Sequence, residues 1–323
     1  MVFIVSFSYI SIMLLVAFGG DKDKVTLFGQ SAGAGSISCH LSMQRSQGLF
    51  SAAVMESGGF ASWIVQNSTY TQRVYNEVLQ ETSCMNITCL LGLSTSELFS
   101  TMIMIDPVNE LFPTAFIPSV DSVELFTHPW VSLSSENISN IPIIIGTNSD
   151  EGVSYLPTTV PASLTEFEFF YLLVRVFDFG DYRDEIEEIY LTNATYPETY
   201  SGSGELYSKY WWAAQRFVGD YFFSCPAQYS LDQLVLDADT SLSCESYPDH
   251  SFCSDMFLYH DNYVLVNRGP FVEHGFELPL VFHFEDEMTT VAEVKMSDIV
   301  ATYWVRCHVD NMSVFEMLMI MCS

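Results

Sequence analysis

Val25-Thr26-Leu27-Phe28-Gly29-Gln30-Ser31-Ala32-Gly33-Ala34-Gly35-Ser36-Ile37-Ser38-Cys39-His40-Leu41 is the stretch from which the rest of the chain can be read. Val25 to Phe28 reads as a short buried strand and Ala34 to Leu41 as a helix whose small residues let it pack close to a sheet. Between them lies Gly29-Gln30-Ser31-Ala32-Gly33, a Gly-x-Ser-x-Gly pattern in which a sharp strand-to-helix turn lifts a serine hydroxyl above the sheet. Strand and helix atoms are expected to crowd both outer positions of such a turn, which is why glycine stands at each. The pentapeptide alone is a weak signal. The strand before it and the small-residue helix after it are the surroundings it requires, and the helix N-terminus would aim its amides toward a developing oxyanion.

Outward from this unit, the pattern repeats. Ala52 to Met55 reads as a second buried strand, and Tyr70 to Gln80 as a helix with Val74, Val78 and Leu79 on one face. Ile141-Pro142-Ile143-Ile144-Ile145-Gly146 is an apolar, largely β-branched run that ends in Gly146-Thr147-Asn148, as a central parallel strand ends at its carboxyl edge. Residues 166 to 221 turn helical and aromatic, and the acidic stretch Asp184 to Ile189 reads as a solvated helix face rather than a metal site. Met256 to Tyr259 and Tyr263 to Val266 read as strand pieces near the end of the sheet. Alternating strands and helices predict an α/β fold, a mostly parallel central sheet with helices on both faces.

Composition bounds the function. With 323 residues, 49% hydrophobic and only 16% charged, the chain can bury a large core and is not disordered. Eleven Lys and Arg against 40 Asp and Glu give a formal charge of -29, which leaves few cations to meet a phosphate backbone and excludes nucleic acid as a partner. Eight cysteines form no Cys-x-x-Cys pair. Asn-x-Ser/Thr acceptors stand at Asn67, Asn86, Asn137, Asn193 and Asn311, five of eleven asparagines, where about two are expected by chance. These features favour a secreted, glycosylated chain. Residues 2 to 18 are apolar and uncharged, like the core of a signal peptide but without its basic start.

A serine hydroxyl needs a base and an orienting carboxylate, expected in the order Ser, acid, His. Glu151, in Asp150-Glu151-Gly152 just past the Ile143 to Gly146 strand, lies where open α/β sheets gather functional groups. His274, in Glu273-His274-Gly275-Phe276-Glu277-Leu278-Pro279, lies in a loop after the last strand pieces. His40 sits on the elbow helix and reads equally as a core residue. His128, His250, His260, His283 and His308 lack the loop setting, and the residues alone do not decide among the histidines.

Phe18-Gly19-Gly20-Asp21-Lys22-Asp23-Lys24-Val25 through Ala34 closely resembles the elbow region of type-B carboxylesterases, the cholinesterase-like branch of the α/β-hydrolases. Met55-Glu56-Ser57-Gly58, Phe116-Ile117-Pro118-Ser119-Val120-Asp121, Gly146 to Gly152 and His274 to Phe282 resemble further blocks of that family, so the likeness runs from Phe18 to Arg306. It implies a serine hydrolase of carboxylic esters that uses neither metal nor organic cofactor. Ser31 would be the nucleophile, His274 the base, Glu151 the orienting acid and Ala32 an oxyanion donor. The partner that the resemblance implies is a small-molecule ester. Trp63 resembles an acyl-pocket aromatic, and Gln30 stands where most members carry Glu, which weakens the case for a cationic choline ester. Cys84 and Cys89 resemble a family disulfide loop, while the pairing of Cys225, Cys244 and Cys253 stays open.

The departures are as informative. The family's other oxyanion donors come from a Gly-Gly loop upstream of the elbow, and the 28 residues before Gly29 hold no equivalent. The expectation is an α/β-hydrolase domain over residues 18–306, incomplete on its N-terminal side. An apolar segment (1–17) and a methionine-rich tail (307–323) flank it outside the likeness. A cholinesterase-like adhesion protein or inactive fragment is the competing reading.

Overall fold

The computed structural model describes residues 17–105, 115–133, 141–156, 159–202, 204–241 and 256–306. Four strands form one parallel sheet in the order β1 (Thr26–Gln30), β2 (Ala52–Glu56), β3 (Ile143–Asn148) and β4 (Met256–Asp261). β2 and β3 are the inner pair, and every residue of both is buried, as a parallel sheet covered on two faces demands. The outer strands β1 and β4 are more open. Pro142 lacks an N–H and stands just before β3 begins at Ile143, while its carbonyl still accepts the Ala53 N–H at 3.0 Å.

Side chains alternate across the sheet with period two. Ala53, Met55, Ile143 and Ile145 face one side, where Ala34, Ile37 and Leu41 of the helix Ala32–Ser42 pack with Ala227 and Leu234 of the helix Cys225–Ser241. Val54, Ile144, Phe257 and Tyr259 face the other, against Trp304 of the helix Val291–Arg306. Helices therefore cover both faces. A separate aromatic core, including Phe169, Phe170, Trp211, Trp212, Phe217, Phe222 and Phe223, joins the helices Glu166–Val176 and Lys209–Gly219 and walls the site described below.

The helix expected over Tyr70 to Gln80 runs from Ser68–Glu81, with Val74 and Val78 buried and Leu79 packed beside them. The acidic stretch lies on the helix Arg183–Glu187 and a following π turn, exposed except for Ile186. Cys84 and Cys89 are bridged, with Cα atoms 5.5 Å apart, whereas Cys39 and Cys225 have no disulfide partner among the described residues. Cys244 and Cys253 lie outside the described residues, as do Asn137 and Asn311. Asn67, Asn86 and Asn193 are exposed.

Two expectations need correction. Tyr263 to Val266 is not a strand. The Asp261 carboxylate accepts the Tyr263 N–H at 2.9 Å, Glu293 takes the Val266 N–H at 2.8 Å, and Leu265 turns into a local core with Val272 and Phe276. Apolar content there serves loop packing, so the backbone bonds to carboxylates instead of a ladder. At the elbow, only Gly29 is crowded: a Cβ there would lie 2.7 Å from the Gly33 carbonyl carbon, but one on Gly33 meets nothing within 4 Å.

Gly152 is more tightly enclosed, because a Cβ on it would overlap the backbone carbonyl of Gln215, which cannot swing aside. Gly152→Ala should cost roughly 1–3 kcal/mol or more by overpacking, read as a lower urea midpoint. Gly202→Ala, at an open position, should leave the midpoint unchanged. Equal stability of the two variants would refute this account.

Candidate active site

The sheet's register builds the site. Gln30 pairs with Glu56, and Glu56 with Gly146, so the carboxyl ends of β1, β2 and β3 lie side by side. Ser31 follows β1 at φ 58°, a left-handed conformation uncommon for a side-chain-bearing residue. Its N–H donates to the Glu56 carbonyl at 2.8 Å, and its own carbonyl accepts the Gly35 N–H at 3.0 Å, so strand and helix hold the turn from both sides. Such backbone strain costs on the order of 1–3 kcal/mol and persists only where the surroundings over-determine it.

Glu151 opens a 3₁₀ turn, Glu151–Tyr155, directly after β3. Its side chain is fully buried and meets three donors. Oε1 accepts the Ser57 hydroxyl at 2.5 Å and the Asn148 N–H at 2.7 Å, and Oε2 lies 2.7 Å from His274 Nδ1. A buried carboxylate without such partners would be expensive. The histidine loop is pegged to the acid loop on both sides of this contact. Val272 N–H donates to Asp150 Oδ2 at 3.0 Å, and Asn148 Nδ2 donates to the Glu273 carbonyl at 2.9 Å. Arg216 pairs with Asp150 at 3.1 Å and so neutralises that buried acid.

The imidazole rests between Phe223, at 4.8 Å, and Tyr155, edge-on at 5.1 Å between ring centroids. Its Nε2 lies 3.1 Å from Gln30 Nε2. Ser31 and His274, both described, are not hydrogen-bonded to each other. Trp63 stands beside the elbow: a Cβ on Gly58 would lie 2.6 Å from the Ser31 carbonyl oxygen and 3.3 Å from Trp63 Cζ2. Its indole N–H donates to the Phe222 carbonyl at 3.1 Å, and its ring meets Phe223 edge-on. Ala32 begins the elbow helix, where first-turn amides have no intrahelical acceptor. His40 is a core residue, buried and 2.9 Å from the Ser46 hydroxyl.

Sequence reading missed Ser57, Asn148 and Tyr155. Ser57 and Asn148 lie in blocks it had quoted, but only the three-dimensional register shows that they donate to Glu151.

Beneath the site lies a set of buried acids. Glu56 receives the Trp304 indole N–H at 2.7 Å, and burial pushes its carboxyl up to about 7. Glu277 receives the Asn148 amide at 2.5 Å, and burial, reinforced by the Glu151 charge, holds it well above the usual carboxylate range. Burial likewise moves Asp261 up to about 6. For a carboxyl raised on folding, the stabilisation is complete below its unfolded value and is lost as pH rises through the folded one. These three groups should therefore make the melting temperature fall as pH rises from about 4 to about 7. Calorimetry should show this slope flattened in Glu56→Gln and Asp261→Asn, and an unaltered slope in both variants would contradict the assignment.

Comparison with known proteins fits this architecture. The profile described as the carboxylesterase family matches residues 13–307. The chain is 32% identical to a mouse (Mus musculus) cholinesterase over 154 residues, 46% of this chain and 26% of that protein. It is 34% identical to a para-nitrobenzyl esterase of Bacillus subtilis (strain 168) over 138 residues, 42% of this chain and 28% of that one. To a crystal protein of Dictyostelium discoideum it is 25% identical over 281 residues, 82% of this chain and 46% of the relative. The chain thus spans less than half the length of these relatives. A parallel sheet carrying a serine elbow, with an acid and a histidine joined at its carboxyl edge, and a match over most of the length lead to one conclusion: the chain belongs to the carboxylesterase family.

Proposed function

We propose that this chain hydrolyses small carboxylic esters, with Ser31 as nucleophile, His274 as general base and then acid, and Glu151 as the group that orients the imidazole. The observation that carries the reading is the 2.7 Å contact between His274 Nδ1 and the buried Glu151 carboxylate, beside a serine held at φ 58°. A carboxylate is acceptor-only, so Nδ1 carries the ring proton and Nε2 offers the lone pair that a base requires.

In the first half-reaction Nε2 takes the Ser31 proton as Oγ bonds to the ester carbonyl carbon, and the carbonyl π pair moves onto oxygen. The Ala32 N–H supplies one donor to that oxyanion. The tetrahedral species collapses, the carbon–oxygen bond to the alcohol breaks, and the imidazolium returns the proton to the leaving oxygen. Water then repeats the sequence on the acyl-enzyme and releases the acid. Trp63, Tyr155 and Phe223 supply apolar walls beside the serine, suited to the acyl part of an ester, and Gln30 presents a neutral amide rather than a charge.

The same proposal places the protein in a secretory, oxidising compartment. The Cys84–Cys89 bridge and the exposed acceptors Asn67, Asn86 and Asn193 support it. Among the described residues no helix is long and apolar enough to cross a membrane.

Ser31→Ala should abolish turnover of a p-nitrophenyl ester and labelling by a fluorophosphonate. Glu151→Gln should retain the fold and lose roughly ten-thousand-fold in kcat, as when a triad carboxylate is neutralised elsewhere. Undiminished labelling of Ser31→Ala would assign the chemistry to another nucleophile.

A further inference from the structure

We propose that Gln30 keeps nucleophile and base uncoupled in the resting site by occupying His274 Nε2. This rests on the reading of Ser31 and His274 as nucleophile and base, and it concerns what must change before they can act.

The argument starts from the number of bonds each atom can make. With the Nδ1 proton committed to Glu151, the neutral imidazole has one lone pair left, on Nε2. That lone pair is already met by the Gln30 amide at 3.1 Å, which must be the donor because Nε2 has no proton to give. Ser31 cannot use it at the same time. The Tyr155 ring lies edge-on to the same imidazole, 5.1 Å between ring centroids, and walls it on a second side.

Gln30 is placed by the elements that carry the site, as the last residue of β1 and immediately before Ser31. Gly275, at a φ of 77° that favours glycine, lies against the Gln30 amide. A glutamate at position 30 could not make this contact to a neutral ring, since a carboxylate has no proton to donate. Gln30 is thus a positioning residue. An entering ester would have to exchange the neutral hydrogen bond from Gln30 to the imidazole for one between serine and histidine.

The test is the second-order rate of fluorophosphonate labelling in the full chain. Gln30→Met keeps the length of the side chain without a donor and should label about three- to tenfold faster than the parent, the span that one neutral hydrogen bond is worth. Gln30→Glu should instead move the acid limb of the pH–rate profile to higher pH, because a carboxylate beside Nε2 favours the imidazolium. A purely structural role would not move that limb. If the parent labels on Ser31 while Gln30→Met melts normally and labels within twofold of it, the uncoupled resting state is refuted and the esterase reading stands. Should Gln30→Met fail to fold, the Gln30→Glu profile decides. Labelling that persists in Ser31→Ala overturns both readings.

Discussion

A carboxylate with no exposed surface must find its donors inside the protein, and Glu151 finds them on three separate segments. The Ser57 hydroxyl follows β2, the Asn148 N–H ends β3, and His274 arrives from a loop beyond β4. None can be displaced without leaving charge unmet, so this one group fixes the relative height of two strand ends and the approach of a distant loop. The parallel register does the coarse work by bringing Gln30, Glu56 and Gly146 level, and the carboxylate completes the alignment. The neighbouring pegs, Asp150 to Val272 and Asn148 to Glu273, make the loop arrive in one orientation.

The same edge of the sheet carries a standing electrostatic cost. Glu56, Glu277 and the phenol of Tyr259 are buried near Glu151, and buried oxygens on Glu56, Glu277 and Tyr259 have no hydrogen-bond partner among the described residues. Burial, reinforced by neighbouring acids, raises Glu277 and Tyr259 well above their ordinary values, whereas Glu151 meets three donors. Asn148 joins them, giving its backbone N–H to Glu151 and its side-chain amide to Glu277.

Much of the fold was legible because its inner strands are pure. Ala52 to Met55 and Ile143 to Ile145 are apolar runs that only a doubly covered parallel strand explains, and the elbow's strand-turn-helix context is local in sequence. Glu151 and His274 were legible through family likeness, and by position in the case of the acid. Tyr263 to Val266 misled because apolar alternation there builds a small loop core, with carboxylates replacing the ladder. Ser57, Tyr155 and the contact of Gln30 with His274 were illegible for a different reason. They depend on which side chains meet across 94 to 244 residues of chain, and no local pattern encodes such a meeting.

Asn67 and Asn86 each begin an Asn-x-Thr acceptor triplet as well as a helix. Both are helix N-caps: the Asn67 Oδ1 accepts the Tyr70 N–H, and the Asn86 Oδ1 accepts the Cys89 N–H. A sugar would join the opposite atom, Nδ2, so a cap and a carbohydrate could share one side chain. Deleting the asparagine to test for a glycan would also unwind the first turn of a helix, in one case next to a disulfide. Replacing Thr69 or Thr88 erases the acceptor triplet while sparing the cap, and so would separate what an oligosaccharide contributed from what the helix start contributes.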